Sequence, residues 1–376
     1  MMKVPFNRPC LTGKEFDYIA EAVGAGQLAG NGTFTRRCHA WLEGQLGAHR
    51  AYLTHSCTAA LEMSALLIGI EPGDEIIMPS YTFVSTANAF VLRGGVPVFV
   101  DVRADTLNLD ERLVERAITT RTKAIVAVHY AGVSCEMDVL LDIAQRHGLL
   151  LIEDAAQGLM SHYHGRPLGA IGHLGAISFH ETKNVISGEG GALIVNDARF
   201  AERAEVLWEK GTDRSRFFRG EVDKYRWIDV GSSFLPGELT AAFLYAQLEQ
   251  AAAITAARRR LWASYVAAVR SAGLNEVSTP IVPAHCEHNG HMFYVMLPRG
   301  LDRARVLAAL NHEGVNAVSH YVPLHSAPAG QRFGRTASAM TVTDDCSERV
   351  VRLPLWPGMS ATTPAEVIER LAETLT

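Results

Sequence analysis

Short apolar runs alternate with helical patterns through the first two-thirds of the chain. The apolar runs are rich in valine and isoleucine and alternate little with polar residues, which indicates strands that are covered on both faces. This order of strands and helices predicts an α/β domain, doubly wound around a mostly parallel sheet. The predicted strands are 74–80, 96–102, 124–130, 149–155, 175–181 and 191–197, and the predicted helices are 57–70, 110–118 and 137–148.

The pattern changes near residue 237, where a single helical stretch continues to about residue 273. Because ordinary globular helices are shorter, we expect a bend or break within it. The sequence thus predicts a large α/β domain over residues 1–245 and a smaller C-terminal α+β domain over residues 246–376. The elements predicted in the latter are an apolar run at 292–298, a helix at 302–314, a segment at 316–325, a loop at 327–343 and a final amphipathic helix at 364–376.

Composition and charge narrow the possible partners of the chain. The net charge of −5 gives no reason to expect nucleic acid or an anionic membrane, and no apolar run is long enough to span a bilayer. The six cysteines form no C-x-x-C pair and no zinc-type cluster, which favours a reducing compartment without a bound metal. The first residues lack the apolar core of a signal peptide. We therefore expect a cytoplasmic protein.

Two predicted strands end beside groups of complementary chemistry. Asp154 ends the run at 149–155, and Lys183 follows the run at 175–181, just before a glycine-rich turn. Pyridoxal phosphate (PLP) chemistry needs a lysine that forms a Schiff base with the aldehyde and an acid that keeps the pyridine nitrogen protonated. Taken alone, Lys183 is more typical of a solvated strand end, and Asp154 is more typical of an N-cap for a following helix.

Other residues are suited to hold the phosphate and the ring of this cofactor. Free N–H groups and the helix dipole make the start of the helix at 57–70 a favourable phosphate site. Each residue alone also has an ordinary structural explanation. The candidates are Ser56, Cys57, Thr58 and Ser178 for the phosphate, Gln157 for the ring oxygen, and Tyr81 or Phe83 for stacking on the ring.

A basic and aromatic segment at 210–227 stands out in this acidic chain. Guanidinium groups bind diphosphate oxygens through paired hydrogen bonds, and aromatic rings can stack on a base or sugar, although a solvated loop explains the segment equally well. A second segment at 320–325 offers imidazole and hydroxyl groups to a polyhydroxy substrate. The candidate substrate-binding residues are Arg214, Arg216, Arg219, Lys224 and Tyr225 in the first segment and His320, Tyr321 and His325 in the second.

The ordered motifs together resemble a known family over nearly the whole chain. They are SCTAAL, PSYTFVSTANA, FVDV, VHYAG, EDAAQ, SFHETKN, GEGGA and VPLH. The set is similar to the DegT/DnrJ/EryC1/StrS sugar-nucleotide aminotransferases, which belong to the fold type I, aspartate aminotransferase-like PLP enzymes. Three further segments resemble one branch of this family: FTRRCHAWLE, HYAGVSCEMD and FFRGEVDKY. This branch is the dTDP-4-dehydro-6-deoxyglucose 4-aminotransferases, which make dTDP-4-amino-4,6-dideoxygalactose.

The resemblance implies a role for each candidate residue and a homodimer with active sites at the subunit interface. Two positions depart from the family pattern. Ser233 stands where many members place an asparagine that completes the partner's phosphate site, and Cys57 replaces the glycine of S-G-T-A. The implied roles are Schiff base and proton transfer for Lys183, pairing with the pyridine nitrogen for Asp154, contact with the ring oxygen for Gln157, stacking for Phe83, and phosphate binding for Thr58, its neighbours and Ser178.

The predicted reaction is transamination of a nucleotide-linked keto sugar with L-glutamate as the amino donor. The branch resemblance favours dTDP-4-dehydro-6-deoxy-D-glucose as the substrate and a product used for bacterial surface polysaccharide. Related dehydratases carry a histidine in place of Lys183, and an NAD-dependent oxidoreductase would need an early G-x-G-x-x-G motif that this sequence lacks. Two alternatives stay open: another nucleotide-linked keto sugar as substrate, and a non-catalytic regulator that binds PLP or a sugar nucleotide.

Overall fold

Strands and helices alternate through the first two-thirds of the computed structural model, which describes residues 3–375. All six predicted strands are present, with ends within three residues of the predicted ones. The strands are β1 (Arg50–Thr54), β2 (Glu75–Pro79), β3 (Val96–Val100), β4 (Thr122–Val128), β5 (Leu150–Asp154), β6 (His162–Tyr163), β7 (Arg166–Pro167), β8 (Leu174–Ser178), β9 (Gly191–Val195), β10 (Cys286–Glu287), β11 (Phe293–Met296), β12 (Arg335–Thr336) and β13 (Val350–Leu353).

The helices include the three predicted between the strands and the long pattern that follows them. They are α1 (Glu15–Gly24), α2 (Thr33–Leu46), α3 (Cys57–Leu67), α4 (Val84–Val91), α5 (Glu111–Ala117), α6 (Met137–His147), α7 (Ala201–Trp208), α8 (Arg214–Phe218), α9 (Glu238–Glu249), α10 (Ala251–Ser271), α11 (Arg303–His312), α12 (Pro328–Phe333), α13 (Thr341–Arg349) and α14 (Thr363–Leu375). The expected break in the long helix is confirmed, since Gln250 separates α9 from α10. Within residues 3–375, no helix combines the length and apolar character that a membrane span requires.

Eight strands form the central sheet, in the order β1-β9-β8-β5-β4-β2-β3-β12. Every pairing from β8 to β12 is parallel, whereas β9 pairs antiparallel with both β8 and β1. All residues of β2, β8 and β9 are buried, as expected for strands that helices cover on both sides. The mostly parallel sheet predicted from the apolar runs is therefore confirmed.

The prediction of a loop over residues 327–343 is wrong. This segment contains α12, the short strand β12 and the start of α13, and β12 extends the central sheet by pairing with β3. The Arg335 guanidinium donates to the buried Glu75 carboxylate at 2.9 and 2.8 Å. A contact between residues this far apart in sequence leaves no local pattern, which is why the segment looked irregular.

A second core lies beside the sheet. It is formed mainly by residues of α10, α11, α14, β11 and β13, together with Val4 near the N-terminus. Helix α10 contributes side chains to both cores. Ile254 packs with the core of the large sheet, and Leu261 packs with the second core. The predicted boundary between residues 245 and 246 lies inside α9, and the division into 1–245 and 246–376 stays a prediction.

Candidate active site

A cavity of about 610 Å³ opens at the carboxyl ends of three parallel strands, β4, β5 and β8. Their last residues, Val128, Asp154 and Ser178, all line it, as expected for a ligand site in an open α/β sheet. Residues from beyond 290 also line the cavity, together with Phe6. The structure brings together ten of the predicted site residues here: Ser56, Cys57, Thr58, Phe83, Asp154, Gln157, Ser178, Lys183, His320 and Tyr321.

The Asp154 carboxylate is held in a fixed orientation at the end of β5. Its Oδ2 accepts a hydrogen bond from the Thr86 hydroxyl at 2.7 Å, and its Oδ1 accepts one from the backbone N–H of Ala156 at 3.2 Å. The Thr86 oxygen in turn lies 2.8 Å from the Thr82 hydroxyl. No α-helix begins at Ala155, where the chain turns instead, so Asp154 is not the cap of a following helix. The arrangement suits a carboxylate that meets a protonated ring nitrogen.

The Lys183 side chain enters the cavity from the turn that follows β8. Its backbone N–H donates to the His180 carbonyl at 2.8 Å, which shapes this turn. Burial lowers the pKa of the Lys183 ammonium group below its usual range; Cys57 and Asp154 oppose this shift, and the Arg352 guanidinium reinforces it. The lowered pKa favours the neutral amine, which is the form that reacts with an aldehyde.

The start of α3 forms the end of the cavity that is suited to a phosphate. Ser56 caps this helix by accepting the N–H of Ala59 at 3.1 Å, and the Thr58 hydroxyl lies 2.7 Å from that of Ser85. Cys57 is not among the described residues with positive φ, so it replaces glycine without backbone strain. A Cβ atom at Gly191 would lie 2.6 Å from the Ser56 carbonyl oxygen, so only glycine lets β9 approach this closely.

Aromatic and polar side chains surround the middle of the cavity. Phe83 is 57% exposed although it lines the cavity, which leaves its ring free to cover a planar ligand. The Gln157 side chain accepts the N–H of Ala131 at 2.6 Å and donates to the Tyr321 hydroxyl at 3.2 Å. PLP requires a lysine, a carboxylate, an aromatic ring and a helix start that can bind its phosphate. The cavity contains all four, so its residues fit this cofactor.

His320 reaches the cavity as a neutral imidazole. Burial lowers the pKa of the His320 side chain far below its usual range, and its Nδ1 lies 3.2 Å from the Tyr130 hydroxyl. The Tyr81 hydroxyl donates to the backbone carbonyl of His320. Tyr81 is thereby engaged in fixing the segment that carries His320 and Tyr321, whereas Phe83 has the exposed ring.

The other predicted residues lie outside this cavity. The His325 imidazole connects the Ser80 hydroxyl, 2.8 Å from its Nδ1, to the Asp344 carboxylate, 3.3 Å from its Nε2. Ser233 and Arg214 line a separate cavity of about 470 Å³ in the same chain. Whether Ser233 serves the phosphate site of a partner subunit stays a prediction.

The basic segment at 210–227 carries both paired and unpaired cations. Arg216 forms an ion pair with Glu202, and Arg219 binds Glu205 at 2.8 Å and Glu221 at 2.7 Å. The Arg214 guanidinium lies instead over the rings of Phe218 and Tyr225, 5.2 and 6.0 Å from their centroids, and Lys224 is exposed to solvent. Within residues 3–375, four other cations of the segment form no ion pair and leave charge available for an anion: Lys210, Arg214, Lys224 and Arg226.

Sequence reasoning missed several residues of the cavity. Thr86 holds Asp154, and Phe6, His291 and Arg352 line the wall near Lys183. A signal for Arg352 was present, because it is a charged residue within the apolar run VVRLPLW. Phe6 and His291 lie far from the strand ends in sequence and carry no comparable signal.

The sequence of this chain is similar to those of known proteins. The model of the DegT/DnrJ/EryC1/StrS aminotransferase family matches residues 9–372. The chain belongs to this family. It is 32% identical over 381 residues to the spore coat polysaccharide biosynthesis protein SpsC of Bacillus subtilis (strain 168), an alignment that covers 98% of this chain and 96% of SpsC.

Solved structures share the fold over almost their full length. The S. venezuelae protein DesV is 30% identical, with a TM-score of 0.90 and coverage of 99% of this chain and 98% of DesV. The aminotransferase TlmJ from Streptoalloteichus hindustanus is 27% identical, with a TM-score of 0.91 and coverage of 100% and 99%. The chain is therefore a PLP-dependent aminotransferase, as the sequence motifs predicted.

Proposed function

We propose that this member of the family is a sugar aminotransferase that moves the amino group of L-glutamate to C4 of a nucleotide-linked 4-keto-6-deoxy sugar. The proposed acceptor is dTDP-4-dehydro-6-deoxy-D-glucose, and the product is dTDP-4-amino-4,6-dideoxy-D-galactose. The observation that carries the proposal is the cavity in which Lys183 and Asp154 meet the imidazole and hydroxyl groups of His320 and Tyr321. Similarity to SpsC, a polysaccharide biosynthesis protein, supports a sugar as the acceptor.

Most of the residues around the cofactor site bind the cofactor, and one of them, Lys183, transfers protons. When bound, PLP supplies an aldehyde that links to amines and a ring that takes up electrons. Asp154, oriented by Thr86, holds the proton on the ring nitrogen. The start of α3 and the Ser178 hydroxyl would bind its phosphate, and Phe83 would pack on its ring.

Lys183 is the proposed acid–base group. Its neutral Nζ would take a proton from Cα of the donor amino acid and deliver it to the aldehyde carbon of bound PLP. When the sugar is aminated, the same Nζ would return a proton to C4 of the sugar. The lowered pKa of Lys183 keeps a larger fraction of the amine unprotonated near neutral pH. A positioned general base of this kind contributes roughly 10²- to 10⁴-fold to the rate.

The nucleotide end of the substrate requires a second set of groups, and we assign it to the segment at 210–227 of a partner subunit. Trp227 is 81% exposed and Tyr225 is 53% exposed, beside Arg214 and Lys224, which form no ion pair among residues 3–375. Exposed aromatic side chains of this size are typical of binding surfaces. The proposed homodimer would place this segment over the cavity of the other copy, as the family resemblance implies.

The test loads the protein with pyridoxamine phosphate and mixes it with purified keto sugars linked to dTDP, UDP or GDP. We expect dTDP-4-dehydro-6-deoxy-D-glucose to restore the visible absorbance of the cofactor fastest and to gain an amine detectable by mass spectrometry. In the same preparations, sedimentation should give twice the chain mass of 40.9 kDa. If another nucleotide-linked keto sugar is aminated faster, the acceptor is wrong; if none is aminated, the regulator alternative is favoured.

A further inference from the structure

A buried histidine in the cavity wall has one ring nitrogen without a partner. His291 is 5% exposed, lies just before β11 and lines the cavity that also contains Lys183. Its Nδ1 lies 3.0 Å from Oδ1 of Asn184, the residue that directly follows Lys183. No hydrogen bond within residues 3–375 reaches the other ring nitrogen, Nε2. Because buried polar atoms normally have partners, this nitrogen marks a position for a ligand.

A neighbouring amide fixes which nitrogen of His291 carries the hydrogen. The Asn184 Nδ2 donates to the backbone carbonyl of Asn289 at 3.0 Å, so Asn184 presents its Oδ1, an acceptor, to the His291 ring. Burial, reinforced by the charge of Lys183, holds the pKa of His291 well below its usual range, so the ring is neutral. The single ring hydrogen is therefore on Nδ1, which donates it to Asn184, and Nε2 is an uncharged acceptor.

The surrounding hydrogen bonds hold this acceptor in place. The backbone N–H of His291 donates to Asn289 Oδ1 at 2.9 Å. The Asn289 Nδ2 in turn donates to the backbone carbonyls of Gln157 and Leu159, both at 2.8 Å. Asn184, Asn289 and His291 are each more than nine-tenths buried. The two asparagines use all their side-chain polar atoms in these contacts, so within residues 3–375 only the His291 Nε2 of this group has no partner.

The chemistry of the two substrates decides which of them can bind an uncharged acceptor. The carboxylates of L-glutamate have no hydrogen to donate, and its amino group is the group that is transferred. The keto sugar has hydroxyl groups, and the carbon that bears the C3 hydroxyl is bonded directly to the C4 that reacts beside Lys183. We infer that His291 Nε2 accepts a hydrogen bond from this C3 hydroxyl and so selects sugars that are hydroxylated next to the keto carbon. This inference rests on the proposed transfer of an amino group to C4 of a keto sugar.

Two substitutions separate the roles of the two ring nitrogens. In His291→Asn, the shorter amide can still donate to Asn184 from the place of Nδ1, but nothing replaces Nε2. In His291→Gln, the longer amide can place an acceptor where Nε2 lies. His288→Asn is the matched control, because His288 belongs to the same segment, packs on Trp262 with 4.4 Å between ring centroids and is not among the described residues that line the cavity.

Each protein is loaded with pyridoxamine phosphate and mixed with the keto sugar or its 3-deoxy analogue, and the return of visible absorbance gives kcat/KM for the acceptor half. We expect the parent protein to use the 3-deoxy analogue on the order of 10-fold less well, the loss typical of one uncharged hydrogen bond. His291→Asn should lose about the same factor with the keto sugar and lose nothing further with the analogue. His291→Gln should keep part of the preference, and His288→Asn should match the parent protein.

The donor half is the internal control for the fold and for Lys183. Each PLP-loaded protein is mixed with L-glutamate, and the loss of visible absorbance gives its rate and half-saturation concentration. Both values should change by less than about threefold in His291→Asn, since the amino donor does not use Nε2. The melting temperature of each variant is measured alongside.

The inference is overturned if His291→Asn distinguishes the two sugars as well as the parent protein does, or if the parent protein aminates both sugars equally. Equal losses of His291→Asn in the donor and acceptor halves would also overturn it, because His291 would then support Lys183 or the fold, and a lowered melting temperature would identify the latter. If the parent protein reacts with L-glutamate but aminates no keto sugar, the proposed function itself fails, and the inference fails with it.

Discussion

At the scale of single residues, the site depends as much on the side chains that orient the reacting residues as on the reacting residues themselves. Asp154 and Lys183 stood out in the sequence because each ends or follows a buried strand. Thr86 did not, because a threonine inside the helical pattern of α4 looks like any other. It is fully buried and donates to Asp154 at 2.7 Å, and it therefore sets the direction in which the carboxylate faces.

Thr86→Val removes this hydroxyl while nearly keeping the side-chain volume. We expect the rate of the donor half-reaction to fall on the order of 10- to 100-fold, because a hydrogen bond to a charged group contributes about 1.5–3 kcal/mol. The affinity for PLP, measured by fluorescence titration, should fall as well. Thr86→Ser keeps the donor and should stay near the parent values. A Thr86→Val protein with parent rate and affinity would show that Asp154 needs no such support.

At the scale of elements, the six inner strands of the central sheet could be predicted, whereas β1 and β12 at its two edges could not. The six inner strands are continuous apolar runs, which leave a strong pattern in the sequence. Strand β12 has only two residues, and its place in the sheet depends on Arg335 reaching Glu75. The Thr119 hydroxyl and the Arg121 guanidinium, both at 2.7 Å, complete the contacts of that carboxylate.

Glu75 should make the stability of this end of the sheet sensitive to acid. Its hydrogen bonds to Arg335 lower the pKa of the Glu75 carboxyl to about 2. Because the folded pKa is depressed, the stabilisation is present above the unfolded value of about 4.3 and is lost as the pH falls towards 2. Glu75→Gln should lower the free energy of unfolding by roughly 1–3 kcal/mol at pH 7 and much less at pH 2.

The measurement is urea unfolding at several pH values, with amide hydrogen exchange of residues 335–337 as the local readout. Glu71→Gln is the control, since Glu71 is exposed nearby and its side chain forms no ion pair in the described part of the chain. Equal destabilisation of Glu75→Gln at pH 7 and pH 2 would contradict the role of the ionised carboxylate.

At the scale of the whole molecule, the site lies where the strand ends of the sheet meet residues from beyond 290. The sheet side was predictable because strand ends, a helix start and a glycine-rich turn occur in a recognisable order. The other side was predictable only in part. His320 and Tyr321 were recognised from their motif, and Arg352 left a signal as a charge within an apolar run. His291 reaches the cavity just before β11, through the packing of β11 and β13, which no local pattern encodes.

The central claim is that Lys183, in this cavity, binds the aldehyde of PLP. Treatment of the PLP-loaded protein with sodium borohydride fixes the cofactor to whichever of the six lysines holds it, and peptide mass spectrometry identifies that residue. The account predicts one adduct, on the peptide that contains Lys183, and none in Lys183→Ala. An adduct on another lysine, or its persistence in Lys183→Ala, would contradict the account.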